Sequence, residues 1–130
     1  MERLRHHNLA AFKSADELFF AIHRLIAQRF PRSERYELSS QLRRAALSVP
    51  ANIVEGFAYP TVRKRLQFLR TAWASLVEAD YLVSVAIRLG YLGRSDQERI
   101  QALTSATGSP LAGLITSLRN ATGPRPARTK

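Results

Sequence analysis

Apolar residues recur along most of the chain at the three- and four-residue spacing of amphipathic helices. The first such stretch runs from about Ser14 to Arg29, and one of its faces carries Leu18, Phe19, Ile22, Leu25 and Ile26. Phe30 precedes Pro31, and a residue before proline is disfavoured in helical geometry. The pattern therefore predicts a first helix that ends at this point.

A second helix is predicted to start near Ser33 or Tyr36 and to end near Gly56, Tyr59 and Pro60. Its apolar positions, again at helical spacing, are Leu38, Leu42, Ala45, Ala46, Val49, Ile53 and Phe57. Pro50 lies inside this stretch, lacks a backbone N–H and crowds the preceding turn. We expect a kink there, or a short break after which the helix resumes at Asn52.

Two further helices are predicted in the second half of the chain. The third runs from about Thr61 to Leu89 and stops at Gly90, which suits a left-handed position after a helix. The fourth begins near Ser95, with Asp96 and Glu98 in its first turn, where negative charge suits the helix dipole. The triplet at 108–110, Gly-Ser-Pro, predicts an interruption of this helix, with a helical continuation over 111–120.

These elements predict an all-α fold, an antiparallel up-down-up-down four-helix bundle. Residues 13–120 would form the bundle, residues 1–12 a basic N-terminal segment, and residues 121–130 a disordered basic tail. The chain has no cysteine, which is compatible with a reducing compartment. Neither a signal peptide nor a membrane span is visible, and we expect a soluble, cytoplasmic protein that does not bind a membrane.

The third helix is apolar on more than one face between Ala74 and Leu89, and the second helix is similarly broad between Ala45 and Val54. A helix in a small monomeric bundle needs only one apolar stripe. Close enclosure of these two helices within one protomer would account for the pattern. We favour the alternative, in which their outer faces meet other subunits of a homo-oligomer.

The charge balance points to a polyanionic partner. The 130 residues include 20 Lys and Arg against 10 Asp and Glu, a formal net charge of +10, and nearly all the basic residues are arginines. The planar arginine fork suits phosphate and guanine contacts, which favours nucleic acid. The candidate binding residues are Arg29, Arg32, Arg35, Arg43, Arg63, Lys64, Arg65 and Arg70. For any single arginine, a solvated surface position is the competing interpretation.

Acidic residues within the apolar stretches suggest ion pairs rather than catalysis. If the second and third helices form a hairpin, Glu55 lies level with the basic run at 63–65, and Glu78 lies level with Gln41 and Arg44. A carboxylate beside arginine in a helix interface is more often structural than catalytic. We therefore predict a buried or interfacial Arg44–Glu78 pair, whereas Arg43 could bind a ligand or stabilise the fold.

No catalytic constellation stands out in the sequence. The histidines show no metal-ligand spacing, and there is neither a glycine-rich phosphate loop nor a nucleophile elbow. We expect a non-enzymatic protein without a cofactor or a metal.

Several blocks of the sequence together resemble one known family. They are Phe30-Pro31-x-x-Glu34, Leu38-x-x-Gln41-Leu42-Arg43-Arg44-Ala45-Ala46-x-Ser48-Val49-Pro50-Ala51-Asn52-Ile53-Val54-Glu55-Gly56, Phe68-Leu69-x-x-Ala72-x-Ala74-Ser75-Leu76-x-Glu78 and Leu89-Gly90-Tyr91-Leu92. With the helix pattern, the resemblance covers about residues 8–120. The sequence is similar to the four helix bundle proteins, also called 23S rRNA-intervening sequence proteins. Ala74 stands where that family usually has glycine, and the basic tail looks peculiar to this chain.

The resemblance implies a ring-like homo-oligomer, a pentamer, and a structural role for the motif residues Gln41, Arg44, Asn52, Glu55, Gly56, Ser75 and Glu78. Such proteins are often encoded within insertions in bacterial large-subunit ribosomal RNA genes. They also resemble Avd, the basic accessory protein of diversity-generating retroelements, which associates with a reverse transcriptase and its RNA template. Two hypotheses follow: an oligomer that binds nucleic acid, RNA above all, or a protein scaffold whose partner is a reverse transcriptase or another protein.

Overall fold

Four long helices follow one another along the chain, joined by short connections. A computed structural model describes residues 9–34 and 37–122. The helices are α1 (Ala10–Arg29), α2 (Leu38–Ala58), α3 (Val62–Arg88) and α4 (Arg94–Thr122), and a short 3-10 helix, Arg32–Glu34, follows α1. The described part of the chain contains no strand. The all-α prediction is confirmed.

Each helix packs against two neighbours, in the closed order α1, α2, α3, α4 and back to α1. Short connections between neighbouring helices make this an antiparallel up-down-up-down bundle, as predicted. The largest fully buried apolar side chains come from all four helices and are Leu18, Leu42, Val49, Ile53, Leu69, Ile100 and Leu111. Burying each of these stabilises the fold by about 1.5–3 kcal/mol, which outweighs weak local helix propensities.

The helix α1 begins four residues earlier than predicted. Ala11 is buried, and Ala15 is completely buried, so the apolar face extends toward the N-terminus through small residues that pack closely. Residues 10–12, which we assigned to the N-terminal segment, therefore belong to the helix. The rest of that segment up to residue 8 and the predicted tail from residue 123 onward lie outside the described residues.

Of the two outcomes expected at Pro50, a kink or a short break, the break does not occur. Helix α2 is continuous from Leu38 to Ala58 with Pro50 inside it. Pro50 is buried, as are Val49 and Ile53 on either side of it, so packing holds the backbone helical despite the missing N–H. The side chain of Asn52 also donates a hydrogen bond of 2.8 Å to the backbone carbonyl of Ser48 within this turn.

The predicted interruption of α4 is also wrong. The helix passes through Gly108, Ser109 and Pro110 without a break. Thr107 and Leu111, on either side of this triplet, are completely buried, and the Thr107 hydroxyl donates to the carbonyl of Leu103 at 2.8 Å. A proline costs about 3 kcal/mol inside a helix, an amount that two buried side chains can offset. Tertiary packing here overrides a local breaker signal.

The ends of α3 follow the predicted sequence signals. The Thr61 hydroxyl accepts a hydrogen bond of 3.3 Å from the Lys64 N–H and caps the first turn. Gly90 has φ +82°, and the N–H groups of Gly90 and Tyr91 donate to the carbonyls of Ile87 and Ala86, each at 2.9 Å. This pair of bonds is a Schellman motif, which glycine favours because it has no Cβ.

None of the helices in the described residues has the length and apolar character needed to cross a membrane.

Candidate nucleic-acid interface

The outward side of α3 carries a continuous stripe of six exposed residues, which we call the outer stripe. Successive members are four and three residues apart in turn. They are Arg63, Gln67, Arg70, Ala74, Val77 and Tyr81. Residues at this spacing share one helix face, so the stripe is a single surface about 27 Å long. Its first three members are polar or basic and form the basic half. Its last three are apolar and form the apolar half.

A groove of about 470 Å³ runs between the basic half and the end of α4. It is lined by Arg63, Leu66, Gln67, Arg70 and Arg119. Arg63 and Arg70 lie two helical turns apart, about 10 Å along α3, and neither forms an ion pair with a described residue. No carboxylate among the described residues lines this groove, so the guanidinium groups of Arg63 and Arg70 give it a positive field.

A second hollow of about 280 Å³ adjoins the first one and shares Arg70 with it. Its other lining residues are Trp73 on α3 and Ala112, Ile115 and Thr116 on α4. Trp73 keeps 40% of its surface exposed. We call the two hollows together the α3/α4 groove. It combines arginines with one exposed indole ring, which is the combination of backbone and base contacts used by proteins that bind single strands.

Lys64 and Arg65, two of the predicted binding residues, contact aromatic rings at the turn between α2 and α3. Lys64 Nζ lies 5.4 Å from the ring centroid of Tyr59. The Arg65 guanidinium lies 4.5 Å from the centroid of Phe57, and its Nη2 donates to the Tyr59 carbonyl at 3.0 Å. Arg65 is half-buried, so these contacts give it a structural role in the turn.

Close packing of α2 against α3 brings this turn together. A Cβ built on Gly56 would lie 3.2 Å from the Cβ of Phe68 and 3.3 Å from the Arg65 carbonyl oxygen. The helices can therefore approach this closely only because residue 56 has no side chain. The Phe68 ring in turn stacks on Tyr59 with a centroid distance of 5.2 Å. Gly56 therefore lies at a close contact between α2 and α3.

The remaining predicted arginines lie near the connection between α1 and α2. Arg29 forms an ion pair with Asp96, at 3.4 Å between Nε and Oδ2, which ties the end of α1 to the start of α4. Arg32 and Arg43 line a separate hollow of about 260 Å³, and the Nε of Arg43 is buried without a hydrogen-bond partner. Arg35 lies outside the described residues. The described residues of the predicted set therefore divide among three places, which are the groove, the turn between α2 and α3, and the surroundings of the α1–α2 connection.

The predicted ion pair between Arg44 and Glu78 is not formed within one protomer. The two residues line the same surface hollow, together with Gln41 and Ser75, so their level along the hairpin is as predicted. Both are exposed, however, and no ion pair joins them in the described residues, so burial of the pair inside a protomer is wrong. Glu55 is likewise exposed and unpaired with the basic run at 63–65. Exposed side chains gain little from such pairs, because water competes for both charges.

Two other motif residues bind the hydroxyl of Ser48. The Ser75 hydroxyl on α3 donates to the Ser48 hydroxyl on α2 at 2.7 Å. The Asn52 side chain, also on α2, donates to that same Ser48 oxygen at 2.8 Å. Because these groups are partly buried, the Ser75–Ser48 hydrogen bond favours one register of the two helices. The sequence pattern grouped Asn52 and Ser75 as structural residues without indicating the Ser48 contact that joins them.

Sequence reasoning missed three residues of the α3/α4 groove: Gln67, Trp73 and Arg119. Gln67 and Trp73 could have been found, because Gln67 lies on the outer stripe with Arg63 and Arg70, and Trp73 is the only tryptophan of the chain. Arg119 could not, because the expected interruption of α4 left its position relative to α3 undefined. Only a continuous helix brings Arg119 beside Arg63 and Arg70.

The groups on this surface are suited to the recognition of anions and planar rings. Arginines that line a groove bind phosphates or carboxylates, and an exposed indole stacks on planar groups. Within the described residues there is no group of three or more His, Cys, Asp or Glu side chains that could hold a metal ion.

Comparisons with known proteins agree with this architecture. The model of the 23S rRNA-intervening sequence protein family matches residues 7–113. The fold is similar to the crystal structure of a protein of unknown function from the S23 ribosomal protein family of Bacteroides thetaiotaomicron. The two share 22% sequence identity with a TM-score of 0.74 over 81% of this chain and 97% of the other. No curated protein matches the sequence.

Proposed function

Since the chain belongs to the 23S rRNA-intervening sequence protein family, we propose that it is a non-enzymatic, basic protein that binds nucleic acid, RNA in preference to DNA, as a homo-oligomer. The observation that carries this proposal is the α3/α4 groove. It gathers Arg63, Arg70 and Arg119 along one channel, and no described carboxylate lines it. A polyanion that lies in this channel would contact Arg63 and Arg70 at once.

The overall charge supports the same partner. A formal net charge of +10 on 130 residues attracts any polyanion at long range, and the groove supplies the place where contacts concentrate. Contacts to phosphates carry little sequence information, so binding should be sensitive to salt and tolerant of sequence. Repeated around an oligomer, the groove would present several binding channels to one RNA.

The double variant Arg63→Gln,Arg70→Gln tests the groove. We expect weaker RNA binding at low salt and a slope of log K against log salt that is smaller by about 1 for each phosphate that the variant no longer binds. The measurement is fluorescence anisotropy of a labelled RNA over a salt series. Both side chains are exposed, so the fold should be retained.

The control is Arg24→Gln,Arg99→Gln, which removes two exposed arginines from α1 and the first part of α4. The net charge changes by the same amount as in the groove variant. If the two variants lose equal affinity and equal salt dependence, binding depends on total charge and the α3/α4 groove is not the site.

Assembly into a homo-oligomer, with a pentameric ring as the expected form, is part of the proposal. Its support is the apolar half of the outer stripe, in which Val77 is 54% and Tyr81 59% exposed, and Leu47 on α2, which is 50% exposed. Burial of such half-exposed apolar side chains against another subunit is favourable, because it removes apolar surface from water. Light scattering of the purified protein measures the number of subunits, and a monomer would contradict this part.

A second candidate function is a protein scaffold, such as an accessory subunit of a reverse transcriptase from a diversity-generating retroelement. The same apolar half favours it, because a different protein could cover Val77 and Tyr81 as well as a second copy could. An oligomer that is stable in both low and high salt and indifferent to RNA would favour the scaffold over the nucleic-acid-binding protein.

A further inference from the structure

We infer that the α3/α4 groove selects single-stranded nucleic acid, with an unpaired base stacked on the indole of Trp73 and the neighbouring phosphates on Arg63 and Arg70. This inference rests on the proposed function and adds to it the kind of strand that the groove binds.

Trp73 continues the basic half of α3 toward the C-terminus. It follows Arg70 by three residues, about one helical turn, and both side chains line the same hollow. From Arg63 through Arg70 to Trp73, the groove therefore offers two cationic groups and then one planar ring over about 15 Å of helix. A nucleic-acid strand presents phosphates along its backbone and planar bases beside them, so one strand can contact both kinds of group.

The indole is partly enclosed on one side and open on another. A Cβ built on Gly108 of α4 would lie 3.7 Å from Cζ3 of Trp73, an ordinary van der Waals distance, so one edge of the ring faces α4 at this glycine with space for about one methyl group between them. The rest of the hollow around it is lined by Ala112, Ile115 and Thr116, while 40% of Trp73 stays exposed. A ring that is already partly enclosed loses less freedom when a base stacks on it than a fully exposed ring does.

A duplex cannot use this ring in the same way. Its bases are already paired and stacked on one another, so a protein meets them only at their edges in the grooves. An unpaired base can leave its strand and lie flat on an aromatic side chain, and every base has a face that allows this. Stacking on Trp73 would therefore favour single strands while remaining tolerant of sequence.

The test uses Trp73 itself as the reporter, because it is the only tryptophan in the chain. Single-stranded oligouridylate should quench its fluorescence as it binds, and an RNA duplex added at equal phosphate concentration should bind with little quenching. The variant Trp73→Leu lacks this reporter, so its affinities are measured by fluorescence anisotropy of labelled strands. It should bind the single strand about 5- to 100-fold more weakly than the wild type and the duplex as before. Trp73→Phe, which keeps an aromatic face, should retain most of the single-strand affinity.

The matched control is Phe20→Leu on α1, which removes a similarly exposed aromatic ring, 48% exposed, away from the groove. It should leave both affinities unchanged. Circular dichroism of each variant checks that the bundle remains folded, and Trp73→Phe keeps the inference testable if Trp73→Leu is unstable.

Three outcomes would overturn the inference. In the first, the wild type and Trp73→Leu each bind single strand and duplex equally well, while Arg63→Gln,Arg70→Gln still binds RNA more weakly. This result would reject stacking and leave the proposed function standing. A change in subunit number in Trp73→Leu, with RNA affinity intact, would assign Trp73 to a subunit contact. If the wild type bound no nucleic acid at all, the proposed function would fail together with the inference.

Discussion

The two halves of the outer stripe of α3 lie on one helix face and differ in chemistry. In the basic half, Arg63 and Arg70 stand beside a groove that contains no described carboxylate. In the apolar half, Val77 and Tyr81 are each more than half exposed to solvent. Water solvates the first half well and the second half poorly, so the two halves favour different partners. A polyanion suits the basic half, and a protein surface suits the apolar half.

Division of one helix in this way has a geometric consequence. A subunit that covered only the apolar half would leave the basic half uncovered, and the α3/α4 groove would then open beside the contact rather than inside it. Neighbouring subunits of an oligomer would place their grooves at regular intervals. Assembly and RNA binding would therefore be separable by mutation although they use the same helix.

The largest effect is expected from carboxylates placed in the apolar half. In Val77→Asp,Tyr81→Asp, a subunit contact over these residues would bury two unpaired charges, at a cost of at least about 3 kcal/mol. Association should weaken by about 100-fold or more, which light scattering or analytical ultracentrifugation would measure as loss of the oligomer. The protomer should stay folded because both side chains are exposed in it.

Gln67→Glu is the control for that variant, since it adds a carboxylate to the other half of the same stripe. It should leave the oligomer intact. The boundary between the halves would not separate assembly from RNA binding if Gln67→Glu lost the oligomer or if Val77→Asp,Tyr81→Asp kept it.

The helices could largely be predicted from the sequence, because the apolar spacing that predicts them is the same spacing that fills the core. Leu18, Leu42 and Ile53 lie on predicted apolar faces and are fully buried. We expected an interruption at Gly108 to Pro110 and a kink or a break at Pro50, and neither the interruption nor the break occurs, for the opposite reason. Breaker signals are local, whereas the buried side chains around them gain stability from other helices that a local pattern does not reveal.

The candidate site was less predictable than the fold. Lys64 and Arg65 adjoin Arg63 in sequence, yet successive residues of a helix point in different directions, and these two contact rings at the turn instead of lining the groove. Arg119 is 49 residues from Arg70 in the chain and reaches the same groove through the packing of α4 against α3. A charge count along the sequence shows neither fact, because both depend on the three-dimensional arrangement of the helices.

A smaller effect is expected from one carboxylate in the basic half. Gln67→Glu is nearly isosteric and places a negative charge between Arg63 and Arg70, where it would oppose a bound phosphate. The free energy of RNA binding should become less favourable by about 1 kcal/mol, which lowers the affinity about fivefold at low salt. The effect should decrease as the salt concentration increases. Thermal stability should not fall, because the new carboxylate has an arginine four residues before it and another three residues after it. Anisotropy and a melting curve measure the two quantities.

The matched control is Gln41→Glu, the same change at an exposed position of α2 in the hollow that also contains Arg44 and Glu78. RNA affinity should remain as in the wild type. Equal weakening in both variants would mean that RNA covers the α2 side as well, and the distinction between the two halves of α3 would no longer hold.

The smallest effect concerns Arg44 and Glu78, which are exposed and form no ion pair with each other within a protomer. Glu78 lies four residues after Ala74 and three before Tyr81, so it borders the apolar half, and a subunit that covers this half would also lower the exposure of the carboxylate. A double-mutant cycle on the free energy of unfolding, with Arg44→Ala and Glu78→Ala, should then give a coupling of about 0.5–1 kcal/mol in the assembled protein. In the background of Val77→Asp,Tyr81→Asp, where no oligomer is expected, the coupling should be close to zero, because two exposed charges in water gain little from each other.

Coupling of equal size in both backgrounds would place the pair within one protomer after all. Coupling near zero in both would mean that the subunit contact does not reach as far as Glu78, and the apolar half would then meet its partner only through Val77 and Tyr81.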